Sequence, residues 1–465
     1  MDLRKKLIGD GAFYKMVLTV AIPVIVQNGI TNFVGLLDNI MVGRLGTEQM
    51  SGIAIVNQLM LVFNLAIFGA VSGAGIFCAQ FFGSGDMKGV KHTFRYKLYI
   101  CVAIVLLGGF ILAGFSEPLI QLYLHGENNT AALEATLLYA RKYLKVILWS
   151  LLPFGLEAVY SSTLRESGET RAPMVAGIVA VLVNLVLNYL LIFGMYGFPK
   201  LGVEGAAIAT VISRYVQVLV VILWTHANRE KMSFIQGIYK KWSIPGSLAW
   251  KITLKGMPLM LNEILWSAGI AMQMQCYSRR GLDAVAGMNI SSTITNLFNI
   301  VFMAMGSAIA IIVGQLLGAG KMEEARDTDT KLIAFSVFSC VVMGGLLMLS
   351  APLFPMMYNT SEQVRTLATA FIRISAACMP LHAFAHASYF TLRSGGKTLI
   401  TFVFDSVYLW GISVSLAFVL SRYTSLPIVP LYLACQLIDI VKCVVGFILI
   451  KKGVWMNNLI GEKRD

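Results

Sequence analysis

Gln80-Phe81-Phe82-Gly83-Ser84-Gly85-Asp86-Met87 and Gln315-Leu316-Leu317-Gly318-Ala319-Gly320-Lys321-Met322 write one pattern twice, Gln-x-x-Gly-x-Gly-x-Met. Working outward, residues 23–87 lie over 258–322 without a gap. This register carries Pro23 onto Pro258, Arg44 onto Arg279, Gly46 onto Gly281, Gly52 onto Gly287, Asn64 onto Asn299 and Ser72 onto Ser307. Later, Thr163-Leu164-Arg165 with Gly168 and Thr170 matches Thr391-Leu392-Arg393 with Gly396 and Thr398, at a slightly shorter offset. The matches fall on Gly, Pro, Asn, Gln and Arg rather than on interchangeable Leu and Val, which argues against chance overlap of two apolar stretches. Similarity at so long a period means duplicated bundles, not a solenoid of short units.

Composition sets the solvent. Of the 465 residues 57% are hydrophobic and only 13% charged, where a soluble domain carries about a quarter charged; the mean hydropathy is +0.73. Stretches able to cross about 30 Å of hydrocarbon recur about a dozen times. They lie near residues 14–41, 51–78, 98–116, 137–163, 173–197, 203–226, 252–277, 284–313, 331–350, 366–391, 398–420 and 427–450. Open sheet edges are not tolerated in lipid, so the spans are helices. The expectation is an all-α polytopic membrane protein of about twelve transmembrane helices in two pseudo-symmetric six-helix bundles. The first occupies residues 1–226, a cytoplasmic linker 227–251, and the second 252–465. An even number of spans per repeat makes the halves parallel, and two such bundles enclosing a cavity are transporter architecture.

The net charge of +13 would suggest nucleic acid in a soluble protein, but its distribution points to topology instead. With the N-terminus inside, most of the 37 Lys and Arg fall on the inner side: Arg4, Lys5 and Lys6; Lys88, Lys91, Arg95 and Lys97; Arg165 and Arg171; Arg229, Lys231, Lys240, Lys241, Lys251 and Lys255; Lys321, Arg326 and Lys331; Arg393 and Lys397; Lys451, Lys452, Lys463 and Arg464. The positive-inside rule then puts both termini in the cytoplasm of a plasma (inner) membrane protein. Arg141, Lys142 and Lys145 dissent, as side chains that snorkel from an outer amphipathic turn. The basic start lacks the short apolar core and cleavage site of a signal peptide. Seven cysteines, odd in number and inside apolar spans, read as small core residues rather than a disulfide framework or a zinc site.

A charge inside a span costs at least about 2.5 kcal/mol and needs a reason. The candidates are Asp38, Glu157, Glu263, Asp405, Asp439, Arg214 and Lys442. Asp439 and Lys442, at i and i+3, suit an intrahelical pair. Asp38 has no cation within a turn, and such a carboxylate can exchange protons or, given further oxygen ligands, hold a monovalent cation. Asn184 and Asn188 share a helical face and could supply those ligands, or equally serve as interhelical amide glue. Glu263 follows Pro258, whose kink beside a carboxylate suits gating or binding. Asp405 could face the same cavity or simply meet water on the inner side. Gly69–Gly75 lies inside a span and is no phosphate loop. His382 and His386 lack a third ligand and read as packing or cavity lining. Without a Walker sequence the chain itself does not hydrolyse ATP. Met272, Met274, Met303 and Met305 suit an adaptable apolar cavity.

Asp38-Asn39-Ile40-Met41-Val42-Gly43-Arg44-Leu45-Gly46, Gln80-Phe81-Phe82-Gly83-Ser84-Gly85, Gly168-Glu169-Thr170-Arg171-Ala172-Pro173-Met174, Asn184-Leu185-Val186-Leu187-Asn188-Tyr189 and Gly202-Val203-Glu204-Gly205 together resemble the multidrug and toxic compound extrusion (MATE) family over nearly the whole chain. The resemblance implies two six-helix bundles arranged as a V, exporting amphipathic, often cationic compounds in exchange for Na⁺ or H⁺. By position, Asp38, Asn184, Asn188 and Thr210 match the family's first-lobe cation site; with Na⁺ as the coupling ion, Asp38, Asn184 and Asn188 are its expected ligands. Some members carry a carboxylate where Asn188 stands, so the charge here is lower. Glu263 stands roughly one turn before the acidic residue of another branch. Glu263, Asp405 and Asn39 are the expected substrate-binding or second-lobe coupling residues.

The expected activity is therefore secondary efflux antiport, with no cofactor beyond the coupling ion. Its partners would be a small amphipathic substrate and membrane lipids but no nucleic acid, and the chain would act as a monomer. A flippase for lipid-linked saccharides is the alternative; it would need a cationic cavity for pyrophosphate, and the candidates here are mainly acidic. An intramembrane enzyme would need a convergent nucleophile and base, or metal ligands, and no such set stands out.

Overall fold

In lipid every backbone amide must be bonded within its own segment, and in the computed structural model each long apolar stretch is a helix. The described residues are 7–123, 130–240 and 242–461. Arg4, Lys5, Lys6, Lys241, Lys463, Arg464 and Asn128 lie outside them, as does the side chain of Asn39. Besides the short helix Ser116–Gln121, the α-helices are α1 Gly11–Gly43, α2 Thr47–Gly83, α3 Met87–Gly114, α4 Thr130–Ile147, α5 Leu151–Glu166, α6 Arg171–Phe193, α7 Gly202–Ala227, α8 Gly246–Ser278, α9 Leu282–Gly318, α10 Met322–Ser350, α11 Glu362–Ser394, α12 Thr398–Phe402, α13 Ser415–Tyr423, α14 Ile428–Leu437 and α15 Asp439–Lys451. Among the described residues there is no strand. Among the described residues eleven stretches are long and apolar enough to cross a membrane, with α4–α5, α12–α13 and α14–α15 each forming one. The twelfth expected span is α8, 33 residues long, which carries Asn262, Glu263, Gln273 and Gln275 along its length.

Three spans depart from plain α-helix. Leu148–Ser150 closes as a 3₁₀ turn between α4 and α5, just ahead of Pro153, which lacks the N–H that would bond the Trp149 carbonyl. Between α12 and α13 the chain winds as a π-helix over Val403–Val407 and Leu409–Val414; such widened turns recur at functional sites. The last span breaks at Ile438, whose carbonyl accepts from the Tyr408 hydroxyl at 2.6 Å. Pro23 and Pro258 lie inside α1 and α8, which continue through them.

The chain divides into two compact units. One holds residues 26–78 and 87–256, the other residues up to 25, 79–86 and 257 onward. In the first unit, close approach is bought with small residues: Gly205 meets the Leu191 carbonyl, and Gly52 the backbone of Thr136 and Ala140. This is the packing expected where lipid supplies no hydrophobic drive between helices. A strap follows α7. Lys91 Nζ, Arg95 Nε and Tyr99 OH, at i, i+4 and i+8 on α3, donate to the carbonyls of Gln236 (2.7 Å), Ile238 (3.0 Å) and Trp242 (2.8 Å), while Phe234 and Ile238 are buried.

In the second unit, Phe13, Val17 and Ala21 of α1 join Met305, Ile309, Ile312 and Leu332 in one apolar core. A strap follows α15 here too. Trp455 is buried, and Gln80 is gripped from both ends of its amide: Nε2 donates to Ser394 O (3.1 Å) and Asn457 O (3.2 Å), and Oε1 accepts from Leu459 N (2.8 Å). The repeated Gln-x-x-Gly pattern of residues 80–83 and 315–318 meets itself in this unit. A Cβ on Gly83 would overlap the Gln315 carbonyl, and a Cβ on Gly318 the Gln80 carbonyl. The doubled Gln-x-x-Gly is thus a reciprocal helix contact, and Gly85 and Gly320 follow it at φ +77° and +74°, turns that glycine makes at little cost. Gly83→Val or Gly318→Val is expected to destabilise the protein by about 3 kcal/mol, the upper end of overpacking, because backbone cannot yield as a side chain does. Thermal unfolding in detergent measures it; an unchanged midpoint for both variants would contradict the reciprocal contact.

Candidate functional site

In the first unit, α1, α6 and α7 bring together four polar residues that an apolar bundle would not gather without reason. Asp38 Oδ1 accepts from Asn188 Nδ2 at 2.8 Å, Asn188 Nδ2 also reaches Asn184 Oδ1 at 3.1 Å, and Asn184 Nδ2 lies 3.4 Å from Thr210 Oγ1. Asn184 and Asn188 are buried. Their i, i+4 spacing points both amides one way, and Thr210 spends its own hydroxyl proton on the Ala206 carbonyl at 3.0 Å. Tyr143 is buried and stands within electrostatic reach of Thr210, Asp38 and Arg214.

The bonding of this cluster does not close. With Asn184 Oδ1 accepting from Asn188, the same oxygen faces Asp38 Oδ2 at 2.9 Å, two acceptors in contact. Turning the amide over gives the carboxylate a donor but sets the two amide nitrogens against each other at 3.1 Å. Asn188 Oδ1 is buried without a partner in either case. A proton or a cation among these oxygens removes the conflict; amide glue alone does not, because both polar groups would remain unsatisfied at about 1–3 kcal/mol each. Carboxylate and amide oxygens are hard ligands suited to a hard cation. Among the described residues no group of three or more His, Cys, Asp or Glu could hold a metal ion.

The second unit holds a different constellation. Asp405, in the π-helical stretch, accepts from Lys442 Nζ at 2.6 Å on Oδ1 and from Asn262 Nδ2 at 3.0 Å on Oδ2. Glu263, the next residue of α8, stands within electrostatic reach of Asp405 and Arg393 and interacts with Tyr389. Ser406 donates to Asn262 Oδ1 at 2.7 Å, so the amide that orients Asp405 is itself fixed. Asp405 is buried. The expected intrahelical bond between Asp439 and Lys442 is not the one made: Lys442 turns across the bundle to Asp405, and Asp439 Oδ2 lies 3.7 Å from His382 Nε2. The tertiary carboxylate prevails because it would otherwise be buried with its charge uncompensated. His386 packs among Phe302, Tyr389 and Phe390.

Sequence reasoning missed Asn262, Tyr143 and the use of Lys442. Asn262 had a signal, an amide beside Glu263 within an expected span, whereas the partner of Lys442 lies 37 residues away on another helix, which spacing cannot show. Elsewhere in the first unit, Arg214 bonds Gln217 Oε1 at 3.0 Å and lies over the Phe154 ring, and Glu157 accepts from Ser161 at 2.5 Å.

Residues 23–190 and 258–419 each match the MatE family model, and the two matches begin at Pro23 and Pro258, the pair that heads the repeat register. The chain is 26% identical over 451 residues to a probable multidrug resistance protein NorM of Thermotoga maritima, covering 96% of this chain and 94% of that one. It is 25% identical to the multidrug resistance protein PmpM of Pseudomonas aeruginosa, over 87% and 83% of the two chains. Among solved structures, a mutant of the Vibrio cholerae MATE transporter VcmN superposes with a TM-score of 0.84 at 18% identity, over 96% of this chain and 98% of that one.

Proposed function

The chain belongs to the MatE family, and from that membership we propose that it is a multidrug efflux transporter which exports amphipathic, cationic compounds in exchange for Na⁺ or H⁺. The proposed cycle is alternating access between the bundles read in sequence as 1–226 and 252–465, joined by residues 227–251. The observation that carries the coupling is the unclosed bonding of Asp38, Asn184 and Asn188. It supports Asp38 as the group that takes up the coupling ion, with Asn184, Asn188 and Thr210 completing its surroundings. Glu263 and Asp405 are proposed to serve substrate binding in the other unit.

A cation moving inward drives export only if its binding favours one arrangement of the protein over the other. Cation and drug must then antagonise each other, and the effect is reciprocal. Saturating Na⁺, or low pH if protons are the coupling ion, is therefore expected to weaken equilibrium binding of a cationic substrate. Asp38→Asn should remove most of that antagonism, while Glu263→Gln weakens substrate binding itself. Wild-type affinity unchanged across both titrations would sink the mechanism.

The proposed location is the plasma membrane with both termini cytoplasmic. A reporter fused after Lys240 should therefore label as cytoplasmic and one after Asn128 as external; the opposite pattern would reverse the sides.

A further inference from the structure

Lys442 has two carboxylates to choose from. It is bonded to Asp405 at 2.6 Å, with the two side chains 14% and 12% exposed. Since Asn262 holds the other oxygen of Asp405, both oxygens of that carboxylate are taken by the protein itself. One turn back on α15, Asp439 lies at i−3 on the face that Lys442 shares, within its electrostatic reach. The Lys442 ammonium also lies 5.3 Å from the Phe404 ring centre and 5.9 Å from that of Tyr408. Phe404, Asp405 and Tyr408 belong to or border the π-helical Val403–Val407, which thus presents one carboxylate and two aromatic faces to a single ammonium.

A buried carboxylate cancelled by a tethered ammonium has no attraction left for a second cation, so occupancy of Asp405 by Lys442 and by a ligand is exclusive. Breaking the pair outright would strand a charge, which costs several kcal/mol. Moving Lys442 to Asp439 strands none. The flexible four-carbon stem of lysine allows that swing, and the vacated aromatic faces suit an organic cation.

We propose that Lys442 is an internal competitor for substrate: it occupies Asp405 until a lipophilic organic monocation takes that carboxylate between Phe404 and Tyr408, and it then transfers to Asp439. Lys442 is on this account a specificity-setting residue and Asp439 its resting place. The inference rests on the efflux reading above and adds the means by which an empty second unit keeps its charge balanced.

The test is equilibrium binding of tetraphenylphosphonium to the full-length protein in lipid nanodiscs, with folding checked for each variant. Lys442→Met removes the competitor and should bind the probe about tenfold tighter, within the usual range of coupling between exclusive ligands. Lys442→Arg keeps a tethered cation and should stay near wild type, which a merely structural role for the ammonium would not explain alongside the gain in Lys442→Met. The double variant Asp405→Asn/Lys442→Met carries no unpaired charge and should lose the gain. Asp439→Asn removes the resting place and should weaken binding about tenfold, a reading that holds even if Lys442→Met does not fold. Unchanged or weaker binding in a folded Lys442→Met, or unchanged binding in Asp439→Asn, overturns the proposal. If wild-type protein exports the probe from proteoliposomes while these variants match it, only the competitor is wrong. If wild type neither binds nor exports it, the efflux reading fails and the competitor with it.

Discussion

Asp38→Asn should abolish concentrative export while leaving the protein at least as stable as before. One-for-one exchange down a tenfold cation gradient can sustain about a tenfold outward gradient of substrate, 1.4 kcal/mol. With no titratable or ion-binding charge at position 38, the ratio should fall to about one. Stability moves the other way. Asn184 Oδ1 now faces Asp38 Oδ2 at 2.9 Å, and an Asn side chain there offers a donor in place of an acceptor, worth about 0.5–1.5 kcal/mol. Lost transport with retained or raised stability separates a coupling role from a structural one. Undiminished export by a well-folded Asp38→Asn would remove Asp38 from the mechanism, and a collapse of stability would mean that the carboxylate is structural.

The largest effect on stability is expected at the ion pair Lys97–Glu166 in the first unit. Lys97 is fully buried, and its ammonium bonds Glu166 at 2.5 Å, Ser162 at 3.0 Å and Thr163 at 3.2 Å. Lys97→Met leaves the Glu166 carboxylate without its cation in the interior, a loss of about 3–5 kcal/mol. The double variant Lys97→Met/Glu166→Leu removes both charges and should recover most of that, because well-packed apolar side chains replace a buried pair at little net cost. Thermal unfolding of the single and double variants decides it: equal loss in both would mean that Lys97 matters through packing alone.

How far the fold was legible follows from which residues carried the signal. Gln80, Gly83 and Gly85 repeated as Gln315, Gly318 and Gly320 announced the duplication, and the structure gives the reason: each glycine lets one helix close on the other's carbonyl. Apolar length announced the spans, since backbone in lipid has no alternative to helix. What stayed hidden was set by tertiary partners. Nothing local distinguishes Val403–Val414 as π-helix, and the choice of Lys442 between Asp439 and Asp405 is settled by burial of the distant carboxylate. The first-unit site was legible in part. Asp38 stood out as a charge without a local partner, and Asn184 and Asn188 as two amides on one face. Their mutual geometry, with two acceptors in contact, could not be read from spacing, and Thr210 came only through resemblance to a family.

The central claim is that cation uptake at Asp38 drives export, and the most direct measurement is counterflow of a lipophilic cation in proteoliposomes under an imposed Na⁺ or pH gradient. Export is expected to rise above the ungradiented rate with one of the two gradients, to vanish when an ionophore dissipates it, and to be insensitive to both in Asp38→Asn. Export by the wild-type protein that is equally fast with and without either gradient would contradict the claim.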